Sequence, residues 1–450
     1  MLRSARAGRG SGSRVKGPPM PADKAASSPP FAARETLAAI VTPLGEGGIG
    51  VVQVSGPHAV EIAAQVFRPK RLRDLRLAES RRLCYGVIRD DQGVIDEAIA
   101  AVWRGPDSAT GEDLVELNCH GGVVAVRKTL ECVAAAGAKK ATWADLSARV
   151  VASGKQDAIQ REAALELPHA RTRLAAQVLL DQFNGALAAA VRSLVAALAQ
   201  GMGGASSERQ DGQFEILNFQ FSIFNSVVQL LASADFGLAL CHPRRLVVAG
   251  KPNVGKSTLV NALLGEERVL VHPLPGTTRD AVATEVAISG IPFRLVDTAG
   301  VRETAHEIEM LGVQEALRQL GEADVALLVF DGSAALGKED LELARLLAGR
   351  SVIPVLNKRD LPLRANTAGL KALLPSPLSE VSAVTGAGLR ELAARVADTL
   401  PFRQAHQPGM AVVFTERQKR WVQEAHGQLT RHAPKDAAAA LERILTVECH

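Results

Sequence analysis

Nowhere in the 450 residues do the roughly 18 uninterrupted apolar positions of a membrane-spanning helix occur, because Arg, Asp or Gln breaks each Ala/Val/Leu stretch. A membrane partner is therefore not expected. A dominant charge is missing as well. The formal net charge of +4 is too weak to argue for nucleic-acid binding, although it leaves room for a local basic patch. The five cysteines, Cys84, Cys119, Cys132, Cys241 and Cys449, lack the paired spacing of a zinc site or a disulfide framework, which fits a reducing, cytoplasmic setting. Acids are absent before Asp23, where Arg3, Arg6, Arg9, Arg14 and Lys16 lie among Gly, Ser and Pro. A mitochondrial transit peptide has that bias, but Gly8, Gly10 and Gly12 oppose the amphipathic helix it needs. Residues 1–33 are expected to be an unstructured extension, or a leader read from a start codon ahead of Met20, with mitochondrial targeting as the alternative.

What is present is ordinary globular composition, 47% hydrophobic and 22% charged, with enough apolar side chain to build cores. The length argues for roughly three domains. Short apolar runs at 37–42, 51–54, 95–103 and 114–117, punctuated by Gly-rich turns, predict a small α+β domain over 34–155. From 156 the composition turns to Ala, Leu, Gln and Arg at helical spacing while Gly and Pro nearly vanish, so 156–243 reads as the first part of a helical domain. Within it, 206–236 holds Phe214, Phe219, Phe221, Phe224 and Phe236 out of 12 Phe in the chain, for which core packing is the default expectation. Strands and helices alternate over 244–400, which predicts a mainly parallel sheet with flanking helices, and 401–450 is helical again. The whole is a multidomain α+β and α/β chain in which a P-loop G domain interrupts a helical domain, and helices before and after the insert can pack together.

The chemistry concentrates in that insert. The strand at 246–249 enters Gly250-Lys-Pro-Asn-Val-Gly255-Lys256-Ser257, and a helix follows from Thr258, the strand–loop–helix setting of a phosphate-binding loop. Main-chain N–H groups of Gly250, Asn253, Val254 and Gly255 can wrap phosphates at a helix N-terminus, with Thr258 in the helix that follows; Lys256 brings a point charge, and Ser257 a hydroxyl ligand for Mg2+. Residues 295–300, Leu-Val-Asp-Thr-Ala-Gly, end a second strand, where Asp297 can hold Mg2+ through water and the Gly300 N–H can meet a γ-phosphate, with Thr298 and Ala299 between them. Gly276-Thr277-Thr278-Arg-Asp280 offers Thr278 as the second hydroxyl on Mg2+. The base is chosen by Asn357-Lys358-Arg359-Asp360 after the apolar run 352–356: Asp360 can accept two hydrogen bonds from guanine, for which adenine has no matching donors, a discrimination of perhaps ~10⁴-fold. Ser382 and Ala383 supply the last loop against the base. GTP and GDP are the expected ligands.

Hydrolysis turns on what orients water. Val301 stands where a Ras-like enzyme carries its glutamine, and an apolar side chain cannot do it. The nearest candidate is Glu303, two positions on. Asn253 can also offer its carbonyl oxygen to a monovalent cation beside the phosphates, where an arginine finger would otherwise put its charge.

These residues resemble the MnmE (TrmE) family of tRNA-modification GTPases, and the likeness runs from about Thr36 to the end of the chain. It implies catalysis by Glu303 without an Arg finger, and K+ held by Asn253 and by main-chain groups of His272, Leu274 and Thr277. It further implies G domains pairing across a homodimer, a flavoprotein partner, MnmG, and a tRNA whose wobble uridine is modified. Residues 42–50, the run Thr110 to Glu116, and His120-Gly-Gly are similar to stretches that form the family's one-carbon tetrahydrofolate site, with Glu116 and Lys155 in the places of its Glu and Lys. Departures are as specific: Gln53 stands at the family's Arg, Trp143-Ala-Asp-Leu146 replaces its Pro-Gly-Glu-Phe, and Cys449-His450 stands where the family has Cys-Ile/Leu-Gly-Lys. The rival expectation is a regulatory GTP switch that has lost the tRNA chemistry. A ribosome-assembly GTPase would share the G motifs but leave residues 36–155 unexplained.

Overall fold

The computed structural model of the chain describes residues 35–201, 210–266, 284–297, 323–347, 349, 351–374 and 376–447. Its first sheet has seven strands: β1 (Leu37–Ile40), β2 (Gly50–Ser55), β3 (Phe67–Pro69), β4 (Arg82–Asp90), β5 (Gly93–Trp103), β6 (Leu114–Cys119) and β7 (Lys139–Lys140), in the order β3-β4-β5-β6-β2-β1-β7. All pairings are antiparallel except that of β1 with β7. Strand alternation decides which face is covered. Val52 and Val54 of β2 and Val115 and Leu117 of β6 are fully buried in one core with α1 (Ala59–Val66) and α2 (Val123–Ala135). Gln53 and Glu116, opposite one another in register, take the other face. There α3 (Trp143–Ala152), started by a capping box between Thr142 and Asp145, closes Leu146 against Leu37 and Ala39. β1, β2, β5 and β6 fall on the predicted apolar runs, whereas β3, β4 and β7 lie outside them. The three helices are 8–13 residues of Ala- and Val-rich chain, too short for periodicity to separate helix from strand.

Four helices follow: α4 (Ala158–Glu166), α5 (Arg173–Phe183), α6 (Ala186–Gly201) and α7 (Gln210–Cys241). A second sheet holds β8 (Arg244–Ala249), β9 (Thr284–Ile288), β10 (Ile291–Asp297), β11 (Val325–Asp331), β12 (Val352–Asn357) and β13 (Ser379–Glu380), in the order β13-β12-β11-β8-β10-β9. Only β9 with β10 is antiparallel. Continuous apolar runs mark strands covered on both faces, and β11 shows it: Leu327 and Val329 enter one core, Ala326, Leu328 and Phe330 the other. Among the described residues the flanking helices are α8 (Lys256–Glu266), α9 (Lys338–Leu346), α10 (Ala368–Leu373) and α11 (Leu389–Ala397). Because β8, β10, β11 and β12 run parallel, the loops leaving their C-terminal ends gather along one edge, where α/β sheets place their ligands.

The chain returns through α12 (Phe402–Ala405), α13 (Glu416–Thr430) and α14 (Pro434–Leu445). Leu187 and Val191 of α6, Val227 of α7, Val422 of α13, and Leu441 and Ile444 of α14 share one core. Helices on either side of the insert therefore do pack together. A polar lock crosses the same gap: Arg417 Nη2 and Gln418 Nε2 donate to Glu162 Oε2 at 3.1 and 2.6 Å.

The Phe-rich stretch forms part of α7. Phe236 is fully buried, 5.9 Å from the Phe402 ring, and Phe224 stacks on His426 at 5.0 Å, but Phe221 is 65% exposed, so core packing holds for some of these rings and not for all. By length and composition Gln220–Cys241 could cross a membrane, which corrects the expectation that no segment is long and apolar enough. Half of that stretch is buried inside the protein, as in the core helix of a soluble bundle.

Candidate functional site

At the end of β8 the chain must turn sharply across the sheet edge. A β-carbon on Gly250 would lie 2.3 Å from the Val329 carbonyl oxygen of β11, and φ there is 151°, so only glycine lets the loop pass. Asn253 sits at φ 63°, a left-handed conformation that Asn tolerates better than most residues. Gly255 closes the loop at φ 92°, where a β-carbon would stand 2.4 Å from Asn357 Nδ2. Helix α8 starts at once with Lys256, so the loop runs directly into a helix N-terminus. Lys256 Nζ donates to the carbonyls of Gly250 and Lys251 at 2.9 and 2.8 Å, curling the loop around an ammonium. Val254 is buried, whereas Asn253, Ser257 and Thr258 are exposed along the same rim. The cradle suits a polyphosphate: glycines that let the loop pack against Val329 and Asn357, the Lys256 ammonium and a helix start all fall within one short loop.

The far end of the site is built from β12 and the loop after β13. Asn357 is 2% exposed; its Nδ2 donates to the Val254 carbonyl at 3.0 Å and its Oδ1 accepts the Ala383 N–H at 3.0 Å. Asp360 is exposed and accepts a 2.6 Å hydrogen bond from Ser382, itself buried and accepting from the Thr385 N–H at 3.1 Å. Lys358, in a left-handed conformation, reaches Asp331 Oδ2 at 2.6 Å. Burial pushes the Asp331 carboxyl up, but hydrogen bonds from Lys358 and Ser333 outweigh it and hold the group below the usual carboxylate range.

Gly250, Asn253, Val254, Gly255, Lys256, Ser257 and Thr258 thus lie in one loop and helix start, joined through Asn357 to Lys358, Asp360, Ser382 and Ala383. Asp297 ends β10, its backbone in register with Val248 of the strand that feeds the phosphate loop. His272, Leu274, Thr277, Thr278, Thr298, Ala299, Gly300, Val301, Glu303 and Cys449 lie outside the described residues. No group of three or more His, Cys, Asp or Glu converges on a metal site among the described residues; Ser257, the hydroxyl expected to ligate Mg2+, stands exposed beside Lys256.

In the first sheet Gln53 Nε2 donates to Glu116 Oε1 at 3.0 Å. Lys155 turns elsewhere, donating to the Pro106 carbonyl at 2.6 Å and to that of Ser108. Two pairs at the nucleotide end escaped sequence reasoning. They are Asp331 with Lys358, and Asp340 in the first turn of α9, which meets Lys251 at 2.6 Å. The only sequence signal was an acid at the end of a strand and another at the start of a helix.

With this geometry in view, residues 36–155 match the family described as the GTP-binding protein TrmE N-terminus, and residues 245–358 that described as 50S ribosome-binding GTPase. A tRNA modification GTPase MnmE of Heliobacterium modesticaldum is 41% identical over 370 residues, 80% of this chain and 79% of that one. Its counterpart in Symbiobacterium thermophilum is 38% identical over 419 residues, covering 91% and 90%. Among solved structures, the G domain of the T. maritima FeoB iron transporter covers 35% of this chain and 99% of its own, at 28% identity and a TM-score of 0.27.

Proposed function

This chain belongs to the MnmE family of tRNA-modification GTPases, and from that premise we propose that it spends GTP in modifying the wobble uridine of tRNA. It is a GTP-binding enzyme that hydrolyses the nucleotide's phosphoric anhydride. The observation that carries the site assignment is the Asn357 bridge, which joins a loop shaped for phosphates to a loop with a carboxylate suited to guanine. In this reading Gly250 to Thr258 cradle the phosphates with Lys256, Asp360 accepts guanine's two donors, and Ser382 and Ala383 hold the base loop.

Ser257, Thr278 and Asp297 would hold Mg2+, which would supply positive charge beside the phosphates. Asn253 and main-chain groups of His272, Leu274 and Thr277 would hold K+, which would add positive charge beside the phosphates, and Glu303 orients the attacking water. The exposed, left-handed Asn253 supports the cation site, since its side chain is free to turn toward the phosphates. G domains pairing across a homodimer, the flavoprotein MnmG and tRNA as partners, and a cytoplasmic location complete the proposal. So does the division into domains at 34–155, 156–243, 244–400 and 401–450, which the separate sheets and helical core support.

One observation favours a second reading, a GTP switch without the one-carbon chemistry. Glu116 Oε1 accepts from Gln53 and Lys155 donates to two backbone carbonyls, so a one-carbon tetrahydrofolate would have to compete with these partners for both groups. Measuring wobble-uridine modification in a deletion strain carrying this gene decides between them. Restored modification upholds the proposal. GTP hydrolysis by the purified protein without restored modification upholds the switch.

A further inference from the structure

Two acids on one short stretch each hold a lysine from a different nucleotide motif. Asp331, at the end of β11, bonds Lys358 of the base motif at 2.6 Å, and Asp340, in the first turn of α9, bonds Lys251 of the phosphate loop at 2.6 Å. Between them the Gly332 N–H donates to the Asn357 carbonyl at 2.8 Å. Asp340 is 3% exposed, and a carboxylate so buried needs partners. It has the Lys251 ammonium and the Gly337 N–H, the latter 2.8 Å from the same Oδ2. Lys251 in turn accepts Lys256 Nζ at its carbonyl, 2.8 Å away. One residue therefore links a buried carboxylate to the ammonium that faces the phosphates.

We propose that Asp340 is a positioning residue of the GTP site: acting through Lys251, it fixes the first half of the phosphate loop, and together with Asp331 it makes residues 331–340 a brace between the phosphate loop and the base loop. The proposal rests on the reading of 250–258 and 357–360 as the nucleotide site. Nucleotide entry competes for Lys256, and each hydrogen bond to the carbonyls of Gly250 and Lys251 that yields to phosphate removes one of the bonds that curl the loop. The Lys251–Asp340 bridge uses neither of those carbonyls, so it can hold the loop while Lys256 turns to phosphate. It also occupies an ammonium that would otherwise compete with Lys256 for phosphate oxygens at short range, where the Coulomb attraction is strongest. Asn253, two residues on, holds a backbone conformation few non-glycine residues adopt, so the segment depends on support from outside itself.

The test uses the full chain with a fluorescent GDP. Lys251→Met removes the bridge but leaves Asp340 capped by Gly337. GDP release is expected to quicken about tenfold and KM for GTP to rise by a similar factor, while kcat stays within about threefold. Its Tm should fall, because the Asp340 charge is left buried without a counterion. Adding Asp340→Asn removes that charge, so the double variant should regain Tm while its GDP affinity stays at the level of Lys251→Met alone. Lys251→Arg should restore affinity. Affinity that recovers along with Tm in the double variant, losses that add, or wild-type affinity in Lys251→Met would each overturn the brace. A wild-type chain that fails to bind GDP would instead overturn the nucleotide-site reading beneath it.

Discussion

Asn357 donates from Nδ2 to the carbonyl oxygen of Val254 at 3.0 Å, so the last residue of β12 holds the phosphate loop from behind. Its Oδ1 simultaneously accepts the Ala383 N–H. One buried amide therefore sets the phosphate end of the site against the base end, and Gly255 has no side chain because that amide occupies the space.

Asn357→Ala should damage both ends together. It strands the Val254 carbonyl and the Ala383 N–H in a buried place, at about 1–3 kcal/mol for each unsatisfied group. GTP affinity should fall by more than about tenfold, since 1.4 kcal/mol is already a factor of ten. Denaturant unfolding of the nucleotide-free protein and a GTP titration measure the two losses separately. Unchanged affinity in a folded variant would show that the bridge does not shape the site.

How far the sequence reached depends on what dictated each residue. Gly250 and Gly255 are required by close backbone approach, and Lys256 and Ser257 by the start of a helix, so the phosphate loop could be read directly. The sheet could be read because its strands are apolar on both faces and therefore continuous in sequence. Gln53 opposite Glu116 needed the register of β2 with β6, which no run of residues encodes. The Lys251–Asp340 and Lys358–Asp331 pairs were hidden for another reason: an acid in a helix's first turn or at a strand end has a local, capping explanation. Only folding brings Asp340 to the phosphate loop.

Asp360→Asn should weaken GTP binding by roughly 10²-fold or more, because an amide offers one acceptor where guanine presents two donors and sets N–H against N–H. Xanthosine triphosphate, which carries a carbonyl where guanine has its amino group, should lose less or gain. Ser382→Ala is the companion variant: it removes the 2.6 Å hydrogen bond that orients the carboxylate and should cost only a few fold. Equal GTP affinity in wild type and Asp360→Asn would remove this residue from base recognition.

His406 links pH to the join between helices and G sheet. Its Nε2 is buried without a hydrogen-bond partner among the described residues, and its ring lies 5.3 Å from that of Phe236. Burial holds its pKa below the ordinary 6.5, with Asp181 opposing weakly. In the window between the lowered folded value and 6.5 the unfolded chain binds more protons, so stability rises with pH there and is lost on acidification through it. Thermal unfolding at pH 7 and pH 5 should show a larger drop in wild type than in His406→Leu. Parallel curves would mean that the imidazole is not desolvated in solution.

Glu303 is proposed to orient the attacking water because Val301 occupies the usual glutamine position and cannot. If so, Glu303→Ala should keep GTP affinity within a few fold and lower single-turnover hydrolysis by roughly 10²–10⁴, the range for a positioned acid–base group. Binding and chemistry separate because water is positioned only for the transition state. A solvated loop charge would leave both unchanged, and a structural role would lower affinity and stability together. Potassium must be present in each assay, since the cation proposed at Asn253 acts on the same step; wild type should also hydrolyse faster in K+ than in Na+. Glu303→Gln refines the outcome: an amide can still hold water by hydrogen bonds but cannot accept its proton, so recovery toward wild type marks orientation and continued loss marks proton transfer. Wild-type turnover in Glu303→Ala would leave the water without a partner from this chain and favour the switch reading over the catalytic one.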